Sequence, residues 1–510
     1  MRSKKAVYNI ILNVVLQIII IIYGFIIPKI IISNFGSNVN GLVSSITQFL
    51  AYIVLLESGF GPVVTSALYK PIAQKNDRDI INILRTSEKF FRSISLIFIL
   101  YMIVLCFVFP LIINNNFDNI FTVSLIIIIG VTTFFEYFFG MTYKLFLKAN
   151  QELYFISIIQ IITYIISVIV IIILAKCGFG IHMIKLASGL IFIIRPILLN
   201  YYVKKKYKLD LNNSDSNYKL KQKWDGLAQH IAAVIHGNTD ITILTFFTTL
   251  AEVSVYSVYY LVIKGIKSLI QSITGGLDAT FGDIIAKNEK VNLNKRFEMY
   301  EVLFNSLSTI VFTCAILLIV PFISIYTKGV TDANYIRHTF GVLIVISEYI
   351  WAIRLPYGSI TLAAGHFKET RNGAWIECLT NILISIILVW KYGIIGVTIG
   401  TIVAMTIRTI EFVYHSNKYI LNRSIWKSIQ KILLIVIETI IIVFICKYLP
   451  LKENINYLNW IINALMIFGV SSLITLTINY IFFKNEFKEI MNIFKRLLKK
   501  RQKGIKNDKN

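Results

Sequence analysis

The sequence predicts an all-α polytopic membrane protein of about 14 transmembrane helices, built as two pseudo-symmetric six-helix bundles followed by two more helices. Three observations predict it. The 510 residues are 56% hydrophobic and only 15% charged, with a mean hydropathy of +0.70, whereas a soluble chain carries about 25% charged residues. Apolar runs of about 20 residues, the length that crosses a bilayer as a helix, recur along the whole chain without the alternation of a barrel strand. A short text is also written twice, about 213 residues apart. Ile72-Ala73-Gln74-Lys75-Asn76-Asp77 with Phe91, Ser93 and Ser95 returns as Ile285-Ala286-Lys287-Asn288-Glu289-Lys290 with Phe304, Ser306 and Ser308. Ala149, Lys176 and Gly178 return at nearly the same offset as Ala364, Lys391 and Gly393. Two copies of a multi-span unit suit two lobes that rock about a central path.

The first run, 7–27, follows Met1-Arg2-Ser3-Lys4-Lys5 as a signal peptide would. It is too long for a signal core and no small-residue cleavage site follows, so it reads as an uncleaved span. The next five are 40–66, 93–113, 119–142, 153–174 and 183–203, which complete a first lobe over 1–205. A basic linker, 206–225, leads to a second lobe over 226–420 with spans 226–249, 253–281, 300–325, 338–362, 373–390 and 394–414. Spans 429–447 and 458–483 fall outside the repeat, in a segment 421–483. The tail, 484–510, sets Phe483, Phe487, Ile490, Phe494 and Leu497 on one helical face among Lys and Arg. Its first part therefore reads as an interfacial helix on anionic lipid, and the end beyond Lys500 equally as a plain charge block.

Charge fixes orientation. With the N-terminus inside, inner segments hold roughly 38 Lys and Arg against about eight outside. Both termini are expected on the cytoplasmic face of a bacterial cell membrane. The net charge of +24 therefore belongs to inner loops, and no sizeable soluble surface is left for nucleic acid. Cys106, Cys177, Cys314, Cys378 and Cys446 form no CxxC pair and read as small core residues, not a metal or disulfide framework. Walker A, HExxH and GxSxG motifs are absent, so a transporter is expected and an enzyme is not.

Ionisable groups at bilayer depth are expensive and usually face a cavity. In the eighth span Lys264, Lys267, Gln271 and Asp278 share a helical face. Two neighbouring ammonium groups suit an anion such as phosphate, or they snorkel to an interface. Arg354 lies deep in the tenth span; Arg195 and Arg408 sit at similar places in the two copies and either line the inner mouth of the path or snorkel. These cations, with Gln271, are the candidate substrate-binding residues. His236 and Asp240, one turn apart in the seventh span, either carry a proton or make a packed polar contact. Glu57, Glu136, Glu348, Glu377 and Glu438 are buried acids that are neutral, paired or ion-binding. Of these, Glu57 and Glu348 join His236 and Asp240 as candidates for ion coupling. In the first span Asn9, Asn13 and Gln17 form an uncharged stripe that either lines the same cavity or glues helices together. No cofactor is expected; an H+ or Na+ gradient, the membrane potential or the substrate's own gradient would supply energy.

The stretch Pro28 … Asn34-Phe35-Gly36-Ser37-Asn38-Val39-Asn40-Gly41-Leu42 … Gln48-Phe49 … Leu55-Leu56-Glu57-Ser58-Gly59-Phe60-Gly61 resembles the start of the polysaccharide-repeat flippases. These belong to the multidrug/oligosaccharidyl-lipid/polysaccharide exporter superfamily. The loop Leu147-Lys148-Ala149-Asn150-Gln151-Glu152-Leu153-Tyr154 and its counterpart Leu362-Ala363-Ala364-Gly365-His366-Phe367-Lys368 carry the same resemblance. It implies a flippase that moves undecaprenyl-pyrophosphate-linked oligosaccharides to the outer leaflet by alternating access. The product would feed capsule, exopolysaccharide or O-antigen-type assembly, with a polysaccharide polymerase and glycosyltransferases as partners. Relatives that flip lipid II, the peptidoglycan precursor, usually carry Arg in the first span, where this chain has Asn9, Asn13 and Gln17. That reading ranks second. An ion-coupled multidrug exporter usually stops at twelve spans, and a membrane glycosyltransferase or polymerase needs larger outer loops; both remain alternatives.

Overall fold

A computed structural model describes the chain except residues 1, 58, 114–116, 208–224, 275, 276, 288, 453–455, 491 and 493–510. Most of the expected linker and the later part of the tail, with Phe494 and Leu497, lie outside the described residues. Among the described residues the secondary structure is helical and no strand occurs. The first part comprises α1 (Arg2–Phe35), α2 (Ser37–Ala51), α3 (Val54–Glu57), α4 (Phe60–Gln74), α5 (Asp77–Ile112), α6 (Asn119–Phe135), α7 (Met141–Ala149), α8 (Leu153–Lys176) and α9 (Ile181–Tyr207). Then follow α10 (Asp225–Phe247), α11 (Leu250–Thr274), α12 (Leu277–Ala286), α13 (Lys290–Tyr326), α14 (His338–Ala363), α15 (Arg371–Tyr392), α16 (Ile394–His415), α17 (Trp426–Cys446) and α18 (Tyr457–Phe482). Among the described residues thirteen helical segments are long and apolar enough to cross a membrane. The expected seventh span, α10, is helical but is not among them; Gln229, His236, Asn238 and Asp240 make it the polar one.

The expected second span, 40–66, is not one rod. It breaks after α3, where Gly59 takes φ +82°, and α4 starts afresh. The eighth expected span, 253–281, divides likewise into α11 and α12. The fourth runs through a π-helical turn, Glu136–Gly140, between α6 and α7. Such a turn adds one residue to the helix and changes which side chains face inward.

The two copies end their helices in the same way. After α4 the Asn76 amide donates to the Pro71 carbonyl at 3.0 Å, and after α12 the Glu289 amide donates to the Ile284 carbonyl at 3.3 Å. After α7 Glu152 reaches back to Leu147 at 2.8 Å, and after α14 His366 reaches Thr361 at 3.2 Å. These are six-to-one closures of helix ends, which need a left-handed residue; Lys75, Gln151 and Gly365 have φ of 54°, 59° and 78°. Phe91 and Phe304, Ser95 and Ser308 are buried alike.

The chain divides into two compact units. Unit 1 is Met1–Leu261 with Gly329–Asn334 and Ser385–Val397. Its core gathers Leu42, Val64, Phe91, Phe98, Phe109 and Leu125. Within it α2 lies close against the start of α11, where Gly41 abuts the Leu250 carbonyl with no room for a Cβ. A polar seam continues from that contact along α10: Asn40 Nδ2 donates to Ser254 Oγ of α11 (2.8 Å), and on α10 Thr245 pairs with Ser45 (2.7 Å), Asn238 accepts from Gln48 and Thr242 pairs with Tyr52 (2.9 Å). Small residues and hydroxyls at a helix contact let backbones approach closely in lipid. The carboxylate of Asp332 accepts from Ser37 N (2.6 Å) and Ser37 Oγ (2.7 Å) at the start of α2, which gives an N-terminal amide of the helix an acceptor.

Unit 2 is Val262–Lys328, Tyr335–Ile384 and Thr398–Asn510. Its knot is Glu301 on α13, whose side chain has 0% exposure. Arg423 Nη2 reaches both its oxygens at 2.9 and 3.0 Å, Lys431 donates at 2.5 Å, Tyr357 at 2.5 Å and Ser428 at 3.2 Å. One carboxylate thereby joins α13, α14, α17 and the turn before α17. Leu318, Ile442, Cys446 and Ile467 continue the join as an apolar cluster, and Trp460 Nε1 donates to the Leu318 carbonyl at 3.1 Å. Residues 484–490 are helical, with Ile490 buried and Lys484 and Lys488 exposed, and Lys295 pairs with Glu489 at 2.6 Å.

Glu301 and Glu88 hold equivalent places in the repeat, and Glu88 is paired only within its own helix, with Arg85 (2.9 Å) and Arg92 (2.6 Å). Glu301→Ala strands two buried cations, and a loss of about 3–5 kcal/mol is expected. Glu88→Ala frees cations that are 31% and 43% exposed, so its loss is expected to be smaller. Thermal unfolding of the purified variants in detergent measures the difference.

Candidate functional site

The cations singled out in the sequence fall into two groups, those neutralised by the protein and those left without an acid. Lys267 on α11 pairs with Glu348 on α14 at 2.7 Å, and its ammonium lies 4.6 Å from the ring centre of Trp351. Glu348 is thus the partner of Lys267 in this structure. Arg354, six residues along α14, donates to Glu377 on α15 at 2.5 Å. Arg408 on α16 approaches the same carboxylate at 3.6 Å, pairs with Glu411, donates to the Thr370 carbonyl at 2.7 Å and lies over Phe412. Gly373 on α15 makes this possible, because any side chain there would collide with Glu411. Three cations and three carboxylates are therefore joined or neighbouring inside unit 2, with a net charge near zero. Lys264, one turn before Lys267, is exposed and has no ion pair among the described residues. Gln271 is exposed further along α11, and the side chain of Asp278 lies outside the described residues.

In unit 1 Arg195 on α9 is held differently. Its Nε donates to Thr163 Oγ1 on α8 at 2.6 Å, and its guanidinium carbon lies 4.2 and 4.0 Å from the ring centres of Tyr164 and Phe192. It has no ion pair among the described residues, and its Nη2 is buried without an acceptor. Beside it a cavity of about 90 Å³ is lined by Thr132, Glu136, Lys144, Gln160, Arg195 and Pro196. The π-helical turn supplies Glu136, which pairs with Lys144 at 3.1 Å.

The expected coupling groups are dispersed. Glu57 on α3 accepts from Tyr137 at 2.8 Å, Asp240 on α10 accepts from Tyr256 on α11 at 2.6 Å, and His236 is half-buried one turn before Asp240. Glu438 on α17 accepts from Asn479 on α18 at 2.9 Å. Asn9 of the first-span stripe is structural: it donates to the Gln151 carbonyl (2.9 Å) and accepts from the Tyr154 amide (2.7 Å), fixing α1 to the α7–α8 turn. Glu301 and its partners Arg423 and Lys431 went unremarked in the sequence. Their only local sign is the pair of cations flanking the start of a span.

No protein-family profile and no curated relative matches the chain. Solved structures do. A lipid II flippase, MurJ, in an inward closed conformation is similar at TM-score 0.67 and 17% identity, over 93% of this chain and 99% of that one. An inward-facing multidrug resistance MATE family transporter of the MOP superfamily is similar at TM-score 0.61 and 13% identity, over 80% and 97%. A MATE transporter in a bent conformation is similar at TM-score 0.54 and 12% identity, over 81% and 95%. The chain is therefore a multi-pass membrane protein with the fold of MOP superfamily transporters.

Lys267 and Glu348 are 19% and 6% exposed, so removing one leaves the other stranded. Lys267→Met is expected to lower thermal stability by about 3–5 kcal/mol, and Lys267→Met with Glu348→Gln to recover most of it. Lys264→Met is expected to change stability by less than about 0.5 kcal/mol. Melting of the three variants in one detergent tests the sorting.

Proposed function

We propose that this chain is a flippase, and not an enzyme, that carries a lipid-linked, pyrophosphate-headed oligosaccharide from the inner to the outer leaflet of the bacterial cell membrane. The observation that carries the proposal is the extent of its likeness to the lipid II flippase. The part of the chain left uncovered there is shorter than α17 and α18 together, so at least some of that appended pair falls inside the likeness. The likeness to the multidrug transporters covers less of the chain at lower TM-scores.

Charge supports an anionic cargo. Lys264, Lys185 and Arg195 are cations at span depth without an acid among the described residues. A pyrophosphate would be held by such groups as point charges and forks, while the polyprenyl tail remains in lipid. Lys267, Arg354 and Arg408 support this field from inside ion pairs, and Gln271 adds a neutral donor. The reading keeps both termini cytoplasmic, on the bias of Lys and Arg toward alternate loops. Coupling to H+ or Na+ through Glu57, His236 or Asp240, or to the membrane potential, belongs to the same proposal. So do assembly with a polymerase and glycosyltransferases and contact of the tail with anionic lipid. Lipid II shares the pyrophosphate and undecaprenyl chemistry and is the second reading, favoured by the same likeness.

The test is translocation in proteoliposomes, with undecaprenyl-pyrophosphate oligosaccharide and lipid II as separate cargoes. Loss of one charge-assisted contact is worth about 1.5–3 kcal/mol, so Lys264→Ala is expected to slow translocation by roughly ten- to a hundredfold with folding intact. Efflux of organic cations by a chain that moves neither glycan lipid would overturn the proposal in favour of a drug exporter.

A further inference from the structure

Arg195 and Arg408 occupy matching places in the two copies, at the offset of about 213 residues that relates the repeat. Their surroundings differ in one respect. Arg408 is 3% exposed and has two carboxylates, Glu377 and Glu411, with Arg354 sharing the first. At offsets of 213 to 215 residues, the positions that match Glu377, Glu411 and Arg354 fall within 162–164, 196–198 and 139–141, and none of these holds an acid, a lysine or an arginine. The second copy fills its interior with a balanced ion network; the first has kept the arginine and lost its anions. Gly140 lines the cavity beside Arg195 and packs against Pro196, where a Cβ would come to 2.8 Å.

A buried guanidinium is normally paired, because a lone charge in a low-dielectric interior is strongly unfavourable. Here the head is fixed by two rings and Thr163, and a buried Nη2 points to no protein acceptor among the described residues. Lys144 and Glu136 cancel one another, so the cavity keeps one positive charge. Gln160 and Thr132 add neutral hydrogen-bonding groups. The volume, about 90 Å³, has room for several waters or for one small oxyanion.

We propose that the Arg195 cavity is a binding site for a phosphoryl oxyanion, which stands where the carboxylates of Glu377 and Glu411 stand in the other copy. It deepens the reading of Arg195 as a cation for a phosphate-bearing cargo, and it is tested by binding alone, so its failure is distinguishable from failure of the transport test on Lys264. Free phosphate and the phosphate of a lipid headgroup share this chemistry, and a planar guanidinium fork suits two of its oxygens.

Thermal unfolding of the full-length protein in detergent tests it, with sodium phosphate against sodium chloride at matched ionic strength, and dihexanoyl phosphatidate against dihexanoyl phosphatidylcholine. A saturable rise in midpoint is expected with phosphate, phosphatidate or both; phosphate alone identifies a soluble anion and phosphatidate alone a lipid headgroup. Arg195→Gln is expected to raise the half-saturating concentration at least tenfold, and Arg195→Lys, which keeps the charge and loses the fork, by a smaller factor. If Arg195→Gln does not fold, Arg195→Lys and Gln160→Leu carry the comparison. No saturable rise, an equal rise with chloride or phosphatidylcholine, or half-saturation unchanged in the folded variants would overturn the proposal.

Discussion

A carboxylate taken into the membrane interior must bring its counter-charge with it, and Glu301 organises unit 2 by that constraint. Ionised and wholly buried, it is tolerable only while Arg423 and Lys431 stand against it and Tyr357 and Ser428 satisfy its remaining lone pairs. The first copy solves the same problem locally. Arg85 and Arg92 lie one turn on either side of Glu88, and α5 needs nothing from outside itself. In the second copy the corresponding positions are Glu298 and Asn305. With its own helix unable to help, Glu301 draws cations from the turn before α17 and from α17 itself. Glu298 joins in, pairing with Lys427 at 3.2 Å. A charge exchange within one helix thereby fastens a different part of the chain.

The same rule separates the polar groups that hold the protein together from those left over for chemistry. Lys267, Arg354 and Arg408 answer to Glu348, Glu377 and Glu411; they shape a field without being free to release a partner cheaply. Lys264 and Arg195 carry charge that the described residues do not neutralise. A transporter of an anion needs cations of this second kind, since an ion pair already closed must be broken before it can bind. The repeated architecture supplies both kinds, with acids beside Arg408 in one copy and no acid at the matching positions beside Arg195 in the other.

Much of the fold was legible because hydropathy over twenty residues is a local property. Span lengths and the repeat follow directly from the text. The break in the second span had a sign, the run Ser58-Gly59-Phe60-Gly61, that hydropathy averaging smooths over. The pairing of Lys267 with Glu348 could not be read, since the two are on different helices and periodicity reports only the face of one. The two ammonium groups lie three residues apart on α11, yet a residue 81 positions from Lys267 makes them differ in character. For Asn9 the sequence left open a cavity lining or a join between helices, and the side chain binds the backbone of a turn.

The dependence of Glu301 on cations from α17 bears on how a longer chain of this kind can arise or be shortened. Helices added at the end of a duplicated bundle usually look like accessories that could be cut away at a loop. Here that cut would remove Lys431 and, if placed before Arg423, both cations together, while leaving Glu298 and Glu301 in α13. A twelve-helix descendant would first have to restore basic residues at 298 and 305, the solution its first half still uses. With Glu298 and Asn305 where the first copy has Arg85 and Arg92, removal of the appended pair calls for several coordinated substitutions and not a single deletion.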